Sequence, residues 1–306
     1  MKKNRFYSLF LPLIICFATI SNWSYSQNQK STASGVRKIN ESIHLVSDYG
    51  CNVIIVEGQG ELLIVDSGYK RFSMALDSVI LSYSDFPIKY ILNTHFHPDH
   101  VRGNKTLSDR GGIIVAHKNA RSRMLSEWNV PDVRGRNLRV IPPYPRAFLA
   151  DICFKDSLDL FLNDRIIQAI HYPDAHTDTD AAYFIKEANV ILTGDLFFSN
   201  GFPIIDIFYG GTIDGYMRAI DNLLKICDAN TIVIPGHGLP SNRQGLLDYR
   251  NMLSESISRI HKLKKEGKTL NEIVDSQPIS DLYKGEDSWV PEDVFIYTVY
   301  NSFSKK

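Results

Sequence analysis

The run Thr94-His95-Phe96-His97-Pro98-Asp99-His100 crowds three imidazoles and one carboxylate into six residues. Neither a core nor a solvated surface has a use for that pattern. A core would have to satisfy every ring nitrogen, and a surface gains nothing from the arrangement. Neutral imidazole nitrogens and carboxylate oxygens are the donors that borderline divalent metals take, zinc above all. The cluster therefore reads as a metal site. Three further residues of the same types, His176, Asp195 and His237, follow in the second half of the chain.

The elements that would position these side chains read as strands with helices between them. Cys51-Asn52-Val53-Ile54-Ile55-Val56 is a β-branched run, and Leu62 to Val65 follows a Gly-Gln-Gly turn. Phe72, Leu76, Val79 or Ile80, and Tyr83 recur at helical spacing. Ile88 to Leu92 predicts a strand that ends where the His/Asp cluster begins. Arg165 to Tyr172 predicts another, ending just before His176. Short strands over Ala181–Ile185 and Val190–Thr193 lead to Asp195, and Thr231–Ile234 leads to His237. A helix over 214–227 carries an apolar stripe that reads as core packing. The metal-type residues thus recur at four strand ends, where ligands collect in layered α/β folds. His44, His117, His171 and His261 match none of these motifs and read as structural residues. Residues 128–147 and 199–211 read as loops. The apolar side chains of the second either line a substrate pocket or dock on the core.

Composition is that of an ordinary globular protein, 44% hydrophobic and 22% charged. Lys2, Lys3 and Arg5 precede an apolar run from Phe10 to Ile20, with Ser24 and Ser26 beyond it, which is the layout of a cleavable export signal over residues 1–26. The run is too short for a stable membrane span. Cleavage leaves residues 27–306 as a single domain with 31 basic and 34 acidic side chains, a charge of −3 that gives no reason to expect nucleic acid as a partner. Cys51, Cys153 and Cys227 form no disulfide framework and read as core residues, one bridge being permitted in an oxidising compartment.

Taken together, Thr-His95-Phe-His97-Pro-Asp99-His100, His176, Thr193-Gly194-Asp195 and Pro235-Gly236-His237-Gly238 resemble the motif set of the metallo-β-lactamase superfamily, over roughly residues 40–245. The resemblance implies a four-layer αβ/βα sandwich of two mixed β-sheets with two metals at one edge. It places His95, His97 and His176 on a first zinc, Asp99, His100 and His237 on a second, and Asp195 between the two. Asp99 would also orient the nucleophile, and Asp66 in Val65-Asp66-Ser67-Gly68 would support the metal loop from behind. Iron or manganese could replace zinc, since a site without thiolate is not strongly selective.

Three departures bear on the substrate. Position 100 is His where the commonest β-lactamase group has Arg, Asp195 stands where that group has Cys, and Thr177-Asp178-Thr179-Asp180 lacks the family's small Gly after His176. The expected activity is hydrolysis of a small molecule outside the cytoplasm, periplasmic or secreted. A cyclic amide of the β-lactam kind leads, with a lactone or another carboxylic ester or thioester second. A metal-binding accessory protein without catalysis is the alternative of another class. Tyr183 and Tyr209 are the candidates for a proton donor to the leaving group. Amino-terminal sequencing of the exported fraction should find a mature chain that begins at or close to Gln27, whereas full-length chain held in the membrane would mean an anchor.

Overall fold

The β-branched run after Cys51 is buried on both of its faces. Val53 and Ile55 pack towards helices, while Ile54 and Val56 pack into a layer shared with a second sheet. Strands covered on both sides lose the polar alternation of a half-exposed sheet, which is why this segment reads as a continuous apolar stretch. The computed structural model describes residues 36–131, 137–283 and 290–302. The expected leader, residues 1–26, lies outside them.

The strands in chain order are β1 (Val36–Lys38), β2 (Ile43–Val46), β3 (Val53–Glu57), β4 (Leu62–Val65), β5 (Ile88–Leu92), β6 (Ile113–His117), β7 (Trp128–Pro131), β8 (Asn137–Ile141), β9 (Ile152–Phe154), β10 (Ser157–Leu162), β11 (Arg165–His171), β12 (Ala181–Ile185), β13 (Val190–Phe198), β14 (Ile232–His237) and β15 (Ser241–Asn242). The helices are α1 (Ser73–Tyr83), α2 (Pro98–Val101), α3 (Asn104–Ser108), α4 (Lys118–Met124), α5 (Ile213–Ile226), α6 (Arg243–Lys265), α7 (Leu270–Asp275) and α8 (Glu292–Ser302). One mixed sheet runs β1-β2-β3-β4-β5-β6-β9 and the other β10-β11-β12-β13-β14-β15.

Three apolar layers follow from this order. Ile43, Ile54, Leu63, Val65 and Leu92 of the first sheet meet Leu162, Ile167, Ala181, Tyr183 and Leu192 of the second. Leu76 and Ile80 of α1 cover the outer face of the first sheet, and α5 to α8 cover that of the second. The molecule is a four-layer αβ/βα sandwich, as the sequence leads one to expect. Caps fix where the outer helices begin. The Thr212 hydroxyl accepts from Gly215 N at 2.9 Å to start α5, and Thr269 and Glu272 form a reciprocal capping box at α7.

Parallel pairing sets up the site. Val65 of β4 lies opposite Leu92 of β5, so Asp66 and Asn93-Thr94 leave the sheet side by side. In the second sheet β13 pairs parallel with β14, and Phe198 lies opposite His237. Strand β13 runs beyond Thr193 to Phe198 with every residue buried, because Gly194 and Asp195 interrupt its apolar pattern without ending its pairing.

Two expectations are corrected. The stretch 128–147 is not all loop, since β7 and β8 form an antiparallel two-stranded ribbon that its prolines and arginines conceal. The three cysteines among the described residues are free, with Cys51 and Cys227 buried but Cys153 exposed on the edge strand β9. Among the described residues no helix is long and apolar enough to cross a membrane.

Gly103, between α2 and α3, lies so close to the loop after β4 that an added Cβ would stand 2.0 Å from the Ser67 carbonyl oxygen. A backbone atom cannot rotate away. Gly103→Ala should destabilise the fold by about 1–3 kcal/mol, read as a lower midpoint in urea with an unchanged slope.

Candidate metal centre

All seven residues expected at the site come together, from four places in the chain. His95 to His100 follow β5, His176 lies in the turn between β11 and β12, Asp195 is within β13, and His237 ends β14. Their donor atoms form two sets, His95, His97, His176 and Asp195 in one, Asp99, His100 and His237 in the other, with atoms inside each set within 4.8 Å of one another. Asp195 touches both. Its Oδ2 lies 3.9 Å from His95 Nε2 and 3.8 Å from His176 Nε2, while its Oδ1 lies 3.3 Å from His100 Nε2 and 3.4 Å from His237 Nε2. The sheets nearly touch here, for a Cβ on Gly194, itself in the left-handed region at φ +52°, would lie 2.6 Å from the Thr94 side chain.

Four of the five rings are aimed by a group behind them. Asp66 accepts hydrogen bonds from Thr94 N and Thr94 Oγ1, both at 2.8 Å, and its Oδ2 lies 2.8 Å from His100 Nδ1. Thr94 Oγ1 is 3.1 Å from His95 Nδ1, and Asp180 Oδ1 is 3.3 Å from His176 Nδ1. His97 is turned the other way, with Nε2 3.0 Å from Asp206 Oδ2, so Nδ1 is the atom it offers. Such outer partners fix tautomer and ring orientation in metal sites. Nε2 of His95, His100 and His176 and Oδ1 of Asp195 are buried yet make no hydrogen bond among the described residues. Aimed donors left without partners are what a cation site requires, and the donor set fits one.

Electrostatics agree. Burial works to raise the carboxyl of Asp195, but His237, His100 and His95 hold it well below its ordinary value. Burial likewise opposes ionisation of Asp99, and His100 and His237 overcome it. His95 stays neutral, since burial and then His100 push its pKa well down. Burial lowers His237 too, yet Asp195 and Asp99 bring it up to about 9. A proton on His237 thus supplies positive charge to the two carboxylates, and cation uptake must displace it.

Several contributors were not found in the sequence. Asp206 lies in the loop after β13 and also binds that loop to the site, with its N–H donating to the His176 carbonyl at 2.8 Å. Phe202 and Ile205 of the same loop are buried with the core, so much of its apolar content docks rather than lines a pocket. Asp180 is part of the unusual Thr-Asp-Thr-Asp turn, taking Thr177 N at 2.7 Å and Thr177 Oγ1 at 2.8 Å. Asn52 donates to the carbonyls of Pro235 and Gly238 at 2.9 and 2.8 Å, tying the turn before β3 to both sides of His237. Of the two tyrosines considered as proton donors, Tyr183 is fully buried and donates to the Asn93 carbonyl at 2.7 Å, which removes it from the reaction. Tyr209 packs edge-on against Trp128 at 5.4 Å. His117 and His171 lie outside the donor sets, stacked on each other with centroids 3.6 Å apart.

Removing the support behind His97 tests this arrangement. Asp206→Ala should weaken metal binding by about 10- to 100-fold in competition with a chelator, with secondary structure retained by circular dichroism. Asp206→Asn, which keeps an acceptor, should recover part of the loss.

A family model described as the metallo-beta-lactamase superfamily matches residues 46–237. The hydroxyacylglutathione hydrolase GloC of Haemophilus influenzae is 28% identical over 155 residues, which are 50% of this chain and 70% of that protein. The metallo-beta-lactamase type 2 of Bacillus cereus is 20% identical over 236 residues, 74% of this chain and 85% of the other. Among solved structures, the metallo-beta-lactamase from Pontibacter korlensis matches with a TM-score of 0.56 at 16% identity, covering 72% of this chain and 98% of that one. With its fold, its ordered motifs and more than half its length in agreement, this chain belongs to the metallo-beta-lactamase superfamily.

Proposed function

We propose that the chain is an exported two-zinc hydrolase that opens a cyclic amide of the β-lactam type. The observation that carries the two-cation reading is Asp195, whose two oxygens address different histidine pairs, His95 with His176 and His100 with His237. Bound to these sets, a pair of divalent cations would polarise the substrate carbonyl and make water nucleophilic near neutral pH. The chain's own part falls chiefly to Asp99. Its Oδ2 lies 3.3 Å from His237 Nε2 and 3.5 Å from His100 Nε2, so its carboxylate borders the second donor set. It accepts a hydrogen bond from the attacking water, takes up the proton as the carbon–oxygen bond forms, and returns it to the leaving nitrogen. His97, fixed by Asp206, and His176, fixed by Asp180, hold the first donor set in place.

The basic and apolar layout of residues 1–26 supports export, which would bring the protein to where small cyclic amides from outside are met. A second reading, cleavage of a lactone or thioester, is favoured by the likeness to hydroxyacylglutathione hydrolase GloC and by Asp195 standing in the motif where the commonest β-lactamase group has Cys.

Metal analysis of purified mature protein should give close to two equivalents per chain, and the same measurement identifies zinc, iron or manganese. Turnover should appear on nitrocefin, or on a lactone or thioester panel under the second reading. Asp99→Asn should lower kcat/KM by about 100- to 10,000-fold while leaving the thermal melt in place. A metal-replete protein inert on all three panels would fit the accessory-protein alternative instead.

A further inference from the structure

Beside the second donor set lies a corner that the reaction as derived does not use. Tyr69 follows the Asp66-Ser67-Gly68 turn, and its N–H donates to the Tyr49 carbonyl at 2.9 Å. Its ring packs on Gly50. A Cβ built at Gly50 would stand 2.6 Å from Tyr69 Cδ2 and 3.3 Å from Asp99 Cβ, so ring and carboxylate flank the same point. Among the described residues no group bonds the Tyr69 hydroxyl. Burial, and then the charge of Asp99, push its pKa up, so it remains a protonated donor.

Arg71 completes the corner. Its guanidinium carbon sits 4.9 Å from the centre of the Tyr69 ring and 4.6 Å from that of Phe72. Two aromatic faces hold the planar group in place, an arrangement that suits guanidinium better than ammonium. No carboxylate pairs with it among the described residues. Two other arginines are committed, Arg102 donating to the Tyr144 hydroxyl at 3.3 Å and Arg123 making a two-pronged pair with Asp178 at 2.7 and 3.1 Å.

We propose that Tyr69 and Arg71 form an anion-binding corner on the Asp99 side of the site, which takes a carboxylate carried by the substrate. This rests on the hydrolase reading and narrows it to substrates with a negative group near the scissile bond. Arg71 supplies charge and two parallel N–H donors, and the Tyr69 O–H adds a third donor. Asp99 would otherwise repel such a substrate, and the corner offsets that repulsion locally.

Zinc-loaded wild type, Arg71→Ala, Arg71→Lys and Tyr69→Phe are compared on mono-4-nitrophenyl succinate, which keeps a free carboxylate, and on 4-nitrophenyl acetate, which has none. The ratio of kcat/KM for the anionic ester over the neutral one should fall about tenfold in Arg71→Ala and a few-fold in Tyr69→Phe, with partial recovery in Arg71→Lys. Calorimetric binding of N-phenylsuccinamate, an anionic anilide, gives a readout independent of turnover and should weaken about tenfold in Arg71→Ala. A selectivity ratio and an anilide affinity both within twofold of wild type in Arg71→Ala would overturn the corner. Wild type that cleaves neither ester would count against the hydrolase reading, and the anilide affinities would then decide the corner by themselves.

Discussion

Charge buried at one end of a dry two-sheet interior is the constraint on which the rest of the structure depends. Asp99 and Asp195 are buried there with four fully or nearly fully buried imidazoles. An isolated ion in such a place costs several kcal/mol, so the carboxylates persist only because rings from separate strand ends converge on them. That convergence requires both sheets at once, since His95 to His100 come from the first and His176, Asp195 and His237 from the second. Register, the close contact of Gly194 with Thr94, and the Asn52 tie to the His237 strand are all means of holding two half-sites in alignment.

Much of this was legible in the sequence, and the boundary is physical. His95, His97, Asp99 and His100 declare themselves because a helical turn directly after a strand keeps ligands close in the chain. Asp195 and His237 are recognisable because strand, turn and ligand sit together in short motifs. Asp206 gave no comparable signal. It stands 109 positions from the ring it supports, and an aspartate in a Gly/Pro-containing loop has an ordinary local explanation. The β7–β8 ribbon was hidden by its prolines and arginines, because a two-stranded ribbon needs no continuous apolar face. Cys153 was misplaced because edge strands such as β9 expose side chains that a central strand would bury.

In this chain the donor residues and the segments that surround them are different parts of the fold. The donors and their supports belong to strand ends that the core holds rigid. The segments that differ most from a plain sandwich, the β7–β8 ribbon, the loop after β13 and the turn carrying Tyr69, lie around the site rather than under it. Substrate preference can therefore drift through these surrounding segments without disturbing the donors. Asp206 limits that freedom, because the loop it belongs to is also fastened to His97 and to the backbone of His176.

The stack of Trp128 on His97, with ring centroids 5.7 Å apart and planes 10° from parallel, would make the indole an optical gauge of a cation held there. An indole resting on an imidazole shares that ring's electronic surroundings. A cation arriving on His97, above all one with unpaired d electrons, opens a path by which the excited indole loses its energy without emitting light. Because the same tryptophan begins the β7–β8 ribbon, its emission would report two things together: whether the first donor set is filled, and whether the ribbon is seated against it.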